Sequence, residues 1–396
     1  MKKSLSLRLL PFLLVLFEIA TYLSNDMYLP ALPAMMHDLH LTMPQVQSTL
    51  TIWFLGAAFM PLFMGAFADR FGRKPVLITG GITYFFANVI CAFASTLPIL
   101  LVTRFIQGGM VAAMLVPGYA TIHDLYEEKE AIKILALMGS ISILAPALGP
   151  VLGSIILLFA SWRWIFGIIA LLTLISVALL AYYMPETLLP ENKHPLILKN
   201  LYQQYKKILL TKRFILNICV IGFIFAGFIV WITASPLLII NNFQYSALAF
   251  GIIQAIVFCS YIIGNRQVKY LLDTLGTNAL IYLGMIITAL GGLAILIFAL
   301  LFSTSLFLFI IGMLIYSFGS ALCYAPLNRR IIESSDAPMG ARVALFTAFI
   351  TGFSSLGSGT ASLFFDNNIL SLALLISGAI LISYLFFMQA KNLHSQ

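Results

Sequence analysis

Apolar stretches of about twenty residues, each long enough to cross about 30 Å of hydrocarbon, recur along the whole chain. They fall at 9–31, 45–68, 76–96, 99–120, 133–158 and 161–184, and resume at 213–240, 247–268, 277–298, 303–326, 340–363 and 368–390. The runs are continuously apolar, without the alternation of a barrel strand, and in lipid such a segment satisfies its backbone groups only as a helix. The sequence therefore predicts an all-α membrane protein of twelve transmembrane helices in two sets of six. Composition agrees. With 61% of its 396 residues hydrophobic and 9% charged, the chain could not cover a water-facing surface, since an ordinary soluble domain is about a quarter charged. A soluble multidomain enzyme, a disordered chain and a collagen-like fibre are excluded.

The net charge of +8 is compatible with a nucleic-acid partner or with cations gathered on one side of a bilayer. Their positions decide. Lys2, Lys3 and Arg8 lie before the first span, Arg70, Arg73 and Lys74 between the second and third, and Lys129 and Lys133 between the fourth and fifth. Lys193, Lys199, Lys206, Lys207, Lys212 and Arg213 follow the sixth, Arg266 and Lys269 the eighth, Arg329, Arg330 and Arg342 flank the tenth-to-eleventh loop, and Lys391 closes the chain. With both termini cytoplasmic, these 20 of the 22 Lys and Arg share the cytoplasmic side, as the positive-inside rule requires. Arg163 falls outside and Arg104 inside a span. No nucleic-acid partner is expected.

Cys91, Cys219, Cys259 and Cys323 all sit in apolar runs without a CxxC pair, so they read as buried small hydrophobes, not as a zinc or disulfide framework. The amino-terminal Lys2, Lys3, Arg8 and the apolar run, with Ala31-Leu32-Pro33-Ala34 beyond, have the outline of a secretion signal. Glu18 and Asp26 inside that run argue for a retained first helix. The longest polar stretch, 185–213, opens with three prolines and closes with a basic amphipathic piece, Leu196–Leu210. It is expected to lie along the cytoplasmic interface, as a linker (185–212) between six-helix bundles at 1–184 and 213–396. Two halves joined in this way fit a secondary transporter with its substrate path between them.

Three charges lie well inside spans: Glu18, Asp26 and Arg104. Each costs about 2.5–3.5 kcal/mol at the bilayer centre on insertion scales. Glu18 and Asp26 are separated by eight residues, about 12 Å of rise and about 80° of rotation on a helix, with Tyr22 four residues from both. They can form a structural ion pair with Arg104 or a protonation site in a cavity, and one Arg cannot neutralise two carboxylates. Asp26 and Arg104 fall in the same, outer half of the membrane, where they could pair. Glu18 is deeper and has no cation at its level.

Between the second and third spans the sequence reads Gly65-Ala-Phe-Ala-Asp69-Arg70-Phe-Gly72-Arg73-Lys74-Pro75-Val-Leu77. Asp69 could accept from helix-terminal amides nearby while the cations hold the membrane face. A tight positive turn explains the cations but not glycines in register around an Asp. This segment resembles the signature loop G-x-L-A-D-R-x-G-R-K-P-x-L of the major facilitator superfamily, with Phe67 in place of Leu. Arg104-Phe-Ile-Gln107-Gly108 resembles that family's R-x-x-Q-G motif. Gly139 and Ala145-Pro146-Ala-Leu-Gly149-Pro150-Val-Leu-Gly153 resemble the antiporter motif of its drug/proton branch. Gly149, Pro150 and Gly153 would give a kinkable helix with a smooth packing face.

Phe17-Glu18-Ile-Ala-Thr21-Tyr22-Leu-Ser-Asn25-Asp26-Met27 is similar to the first helix of the MdfA-type multidrug/proton antiporters, as are Leu135-Ala-Leu-Met138 and Trp231-Ile-Thr-Ala-Ser235-Pro236. The resemblance implies the major facilitator fold and proton coupling through Glu18, Asp26 and Arg104. It implies a substrate cavity lined by Tyr22, Asn25, Asp26 and Met138. Gly65, Asp69, Arg70, Gly72, Arg73, Lys74, Gly149, Pro150 and Gly153 become conformational elements. A monomer in a bacterial inner membrane follows, exporting lipophilic, neutral or cationic small molecules with protons as coupling ion. No metal and no other cofactor is expected. A dedicated exporter of an endogenous metabolite or siderophore, or a proton-coupled importer, would use the same proton site.

The second half carries no acid, base or Arg well inside its spans; Asp273, Glu333 and Asp336 are loop-proximal. It is expected to supply an apolar wall from residues such as Tyr261, Met313, Tyr316 and Phe346, any of which could equally be core. The Arg329, Arg330, Glu333, Asp336 loop reads as a cytoplasmic ion-pair cluster. No phosphate-binding loop and no nucleophile–base constellation is legible, so the chain is not expected to be an enzyme.

Overall fold

The computed structural model describes residues 2–193, 195 and 197–394. Of the expected linker, His194 and Leu196 lie outside the described residues, as do Met1, Ser395 and Gln396 at the ends. Every regular element among the described residues is helical. In chain order these are α1 (Lys2–Asp26), α2 (Leu32–Asp38), α3 (Met43–Phe59), α4 (Pro61–Phe71), α5 (Arg73–Ala92), α6 (Leu97–Leu125) and α7 (Glu128–Phe159). Then come α8 (Arg163–Tyr183), α9 (Leu198–Leu209), α10 (Lys212–Pro236), α11 (Ala247–Leu301), α12 (Leu306–Ile332), α13 (Met339–Phe364) and α14 (Ile369–His394). Among the described residues, ten helices are long and apolar enough to cross a membrane, or eleven when α3 and α4 are taken as one bent span. The protein is an all-α, multi-span membrane protein.

The irregularities have local causes. Between α3 and α4 the axis turns by 46°, because Pro61 at the first position of α4 has no N–H to donate and its ring crowds the preceding turn. Pro236 ends α10, and the backbone widens into a π-turn over Leu237–Asn242. α11 has 55 residues, about 80 Å of helix, far more than one crossing needs. It leaves helical geometry at Gly276, with φ 76° and ψ 167°, a conformation open to glycine alone. The arms on either side meet the same stretch of α12. Ser317 Oγ donates to the Val257 carbonyl at 2.9 Å and Ser260 Oγ to that of Leu314 at 2.8 Å, while Gly284 and Gly291 lie against Cys323 and Tyr316. The chain thus folds back on itself at Gly276.

Within residues 2–183, α1 packs on α7 and α8, α3 on α6, and α5 on α6 and α8. Within 212–394, α10 packs on α12, α13 and α14, and α11 on α12 and α14. Two seams join the sets: α3 against α13 and α7 against α11. The outward faces carry exposed Leu, Ile and Phe, among them Leu171, Leu290 and Leu381, which a hydrocarbon solvent tolerates. Cys259 is exposed on such a face of α11, which corrects its expected burial. Cys91 and Cys323 are buried and Cys219 half-buried.

Candidate functional site

A cavity of about 1050 Å³ runs between the two sets of helices. At one end its wall holds Tyr22, Asn25 and Asp26 of α1, and its flanks carry Phe225, Phe228 and Phe258. At the other end it reaches Asp69, Ile197, Asn200 and Gly340, all exposed, so it opens on the face that carries the α4–α5 turn and α9. The far end is closed by short polar contacts across the seams. Thr51 Oγ1 lies 2.9 Å from Ser358 Oγ, Ser355 Oγ donates to the Thr51 carbonyl at 3.0 Å, and Ser154 Oγ donates to the Ala247 carbonyl at 2.7 Å.

Arg104 of α6 is 1% exposed. Its guanidinium stacks over Tyr28 at 4.1 Å and donates to Gln107 Oε1 at 2.8 Å, Asn25 Oδ1 at 3.2 Å and the Ser24 carbonyl at 3.4 Å. Gln107 Nε2 donates on to Asn88 Oδ1 at 3.2 Å. The cation therefore sits against the last turn of α1, where unpaired carbonyls and the helix dipole favour positive charge. The pairing of Asp26 with Arg104 that their depth would permit is not formed. The ion pairs among the described residues are Arg73–Asp124, Arg163–Asp38 and Arg329–Glu333. The reason is rotational, since adjacent helix positions diverge by about 100°: Asn25 reaches α6, and Asp26, 4% exposed, meets the cavity and α7.

Glu18 is 2% exposed and is not on the cavity wall. Its Oε1 accepts from the Tyr119 hydroxyl at 3.0 Å, and Oε2 is buried with no partner among the described residues. Tyr119 itself lines the cavity, so a single phenol stands between the carboxyl group and the open space. Tyr119 was not legible in the sequence, since it lies at the edge of the expected fourth span with no motif to mark it. Met138 is fully buried in the core, behind the wall and not on it. Of the four residues expected on the second-half wall, Tyr261 lines the cavity, whereas Met313 and Tyr316 are core and Phe346 is buried with its ring near Tyr324.

The α7 motif lies directly on α1. A Cβ at Gly149 would meet Asp26, and one at Gly153 would enter the Met27 carbonyl. On the opposite side the Pro150 carbonyl touches Gly251 of α11. One stretch of α7 thus contacts the acid-bearing end of α1 and the facing half together.

At the α4–α5 turn, Gly72 has φ 107°, which lets α4 stop and α5 start without a spacer. Arg73 pairs with Asp124 at the end of α6 and donates from Nη1 to the Ala120 carbonyl at 2.9 Å. The amides at the start of α5 are taken by Glu186, not Asp69. Arg73 N donates to Glu186 Oε1 at 3.1 Å and Lys74 N to Oε2 at 3.2 Å. Glu186 begins the linker, and nothing in its local sequence connects it to a turn 113 residues earlier. Asp69 is exposed at the cavity mouth, Gly65 lines it too, and Arg70 lies over the Phe71 ring at 5.1 Å. Of the expected cytoplasmic cluster, Arg329 pairs with Glu333 and Arg330 donates to Asn278.

Residues 14–362 match the model of the Major Facilitator Superfamily. The chain is 31% identical over 331 residues to "Chloramphenicol resistance protein CraA" of Acinetobacter baumannii, covering 83% of this chain and 79% of that one. It is 32% identical over 336 residues to "Multidrug transporter MdfA" of Yersinia pestis, covering 84% and 81%. Among solved structures, a D-xylose-proton symporter superposes with a TM-score of 0.74 at 16% identity, over 95% of this chain and 97% of that one. A POT family transporter in complex with 5-aminolevulinic acid gives 0.76 at 12% identity, over 97% and 96%. The family match spans most of the chain, the relatives are about a third identical over the aligned residues, and the solved structures share its architecture: the chain belongs to the Major Facilitator Superfamily.

Proposed function

We propose that the protein is a proton-driven exporter of lipophilic, neutral or cationic small molecules, working by alternating access. Twelve spans form two six-helix bundles, 1–184 and 213–396, joined by the linker 185–212, with both termini cytoplasmic in a bacterial inner membrane and the chain acting as a monomer. The fold-back at Gly276 supports counting the arms of α11 as two spans, and the bend at Pro61 supports counting α3 and α4 as one. With the basic loops cytoplasmic, the cavity opens inward and the hydroxyl seams close the outside.

The reading rests on Asp26, a carboxylate on the wall of a large aromatic cavity, while its neighbour Asn25 holds the buried cation. An aromatic and aliphatic wall with one buried carboxylate, Asp26, favours a lipophilic guest, and a cationic one most, by charge and cation–π attraction. The relatives' names, a chloramphenicol resistance protein and multidrug transporters, support a drug-like cargo. Glu18, behind Tyr119, is the second proton site. Protonation of the acids in the outward-open state displaces the guest, and the cavity returns inward carrying protons; binding of the next guest releases them. Arg104 holds the end of α1 that carries Asp26, Tyr22 and Asn25 contribute to the wall, and Met138 supports it from behind. Gly149, Pro150 and Gly153 form the surface over which α1 and α11 move against α7.

Everted membrane vesicles carrying Glu18→Gln, Asp26→Asn and the double variant test this. Drug-dependent proton release is expected to fall with each single change and to vanish in the double one. Release that survives in a folded double variant would falsify the mechanism.

A further inference from the structure

The helix α9 has two unlike edges. Leu201, Gln204 and Tyr205 line the cavity mouth, Ile208 is buried, and the Tyr205 hydroxyl donates to the Leu62 carbonyl of α4 at 2.7 Å. That edge straps α9 across the open end of the cavity. The adjoining edge, which begins at Leu198 about 20° from Tyr205, is solvent-facing, yet it is not polar. Leu198, Tyr202 and Leu209 are exposed and fall within about 40° of one another on a helical wheel. Lys199 and Lys206, also exposed, follow at about 80–100°. Between Asn192 and Arg213 the chain carries six Lys or Arg and no acid. α9 joins the end of one candidate membrane span, Tyr183, to the start of the next, Lys212, which puts it beyond the ends of both, on the side where the headgroups of a bilayer would lie.

An exposed apolar stripe bordered by lysines on a short helix at that level matches one surface in particular. The apolar side chains enter the boundary between headgroup and acyl chain, and the lysines reach the phosphates above it. We infer that α9 docks its Leu198–Tyr202–Leu209 edge into an anionic lipid leaflet, with Lys199 and Lys206 on the headgroups, and that this docking competes with its hold on the cavity mouth through Tyr205. Lipid charge then sets how readily the mouth opens. The coupling to access rests on the transport reading above; the docking itself does not.

Amide hydrogen exchange of residues 198–210, measured on the full chain in nanodiscs, tests the inference. Discs of phosphatidylcholine alone are compared with discs containing one part in three phosphatidylglycerol. Two lysines at an anionic surface give an expected protection of roughly tenfold or more in the anionic discs. This gain is expected to disappear at high salt and in the Lys199→Gln/Lys206→Gln variant. Leu198→Ser/Leu209→Ser is expected to lower protection in both disc types. Protection of α9 that is independent of lipid charge overturns the inference, as does equal protection in neutral discs supplied with inorganic phosphate. Tetraphenylphosphonium binding to the same discs reports on the cavity separately. A strap indifferent to lipid charge alongside intact binding overturns the docking alone; a lipid-responsive strap with no binding overturns the transport reading alone.

Discussion

The Arg104 guanidinium donates from Nη2 to Asn25 Oδ1 at 3.2 Å, and Asp26, the next residue along, lines the cavity. One helical step thus separates a structural role from a chemical one. The buried cation is held by two side-chain amide oxygens, of Asn25 and Gln107, by the Ser24 carbonyl and by the Tyr28 ring, which leaves the carboxylate available to protons and guests.

Asn25→Ala is expected to strand a buried, charged donor and to lower thermal stability by about 1–3 kcal/mol, while Asp26 remains in place. Arg104→Lys is expected to cost a similar amount, because an ammonium loses the planar fork and much of the stacking on Tyr28. Thermal unfolding in detergent checks both. Unfolding midpoints equal to that of the unaltered protein would contradict the clamp.

Tyr119→Phe removes the hydroxyl that donates to the Glu18 carboxylate and keeps the ring on the cavity wall. Stability is expected to change by only about 1 kcal/mol. Proton-coupled transport in proteoliposomes is expected to drop severalfold, while binding of a lipophilic cation is retained. Full transport in this variant would remove Tyr119 from the proton path.

Gly153→Ala is expected to destabilise by about 1–3 kcal/mol through overpacking, since its Cβ would enter the Met27 carbonyl. Gly139→Ala, whose Cβ would meet nothing within 4 Å among the described residues, is the matched control and is expected to be neutral or slightly stabilising, since Ala favours a helix interior over Gly. Paired thermal melts read the difference, and equal behaviour of the two would show that α1 does not bear on α7 at this point.

Glu186→Ala removes the acceptor of two α5 amides, a loss of about 1 kcal/mol by analogy with helix caps. Glu186→Gln, which keeps an acceptor oxygen, is expected to recover part of it. Hydrogen exchange at Arg73 and Lys74 is the direct readout; unchanged protection in the alanine variant would mean that the linker does not cap α5.

Much of this was written in the chain. Continuous apolar runs give helices, because lipid offers the backbone no other partner, and the three motifs appear in the order that the family requires. Glu18, Asp26 and Arg104 stand out because a charge inside a span is costly. What remained hidden were partners distant in sequence. Glu186 caps a helix that begins at Arg73, and Tyr119 meets Glu18 across 101 residues. Neither contact leaves a local trace, since a phenol or a carboxylate in a polar loop is unremarkable until the fold supplies its neighbour. The span boundaries shifted for the same kind of reason: α6 runs on to Leu125, as helical hydrogen bonding continues past the edge of the hydrocarbon.

The sequence by itself determined the solvent, the helical class, the family and the positions of the costly charges, all of which depend on residue type and spacing along one chain. Only the tertiary structure decided which residue Arg104 holds, which acid meets the cavity, and that Met138 lies behind the wall while Tyr119 lies on it. Those outcomes depend on rotation about a helix axis and on what the facing helix brings within about 3 Å, and a rotation of about 100° per residue turns neighbours in sequence toward different partners in space.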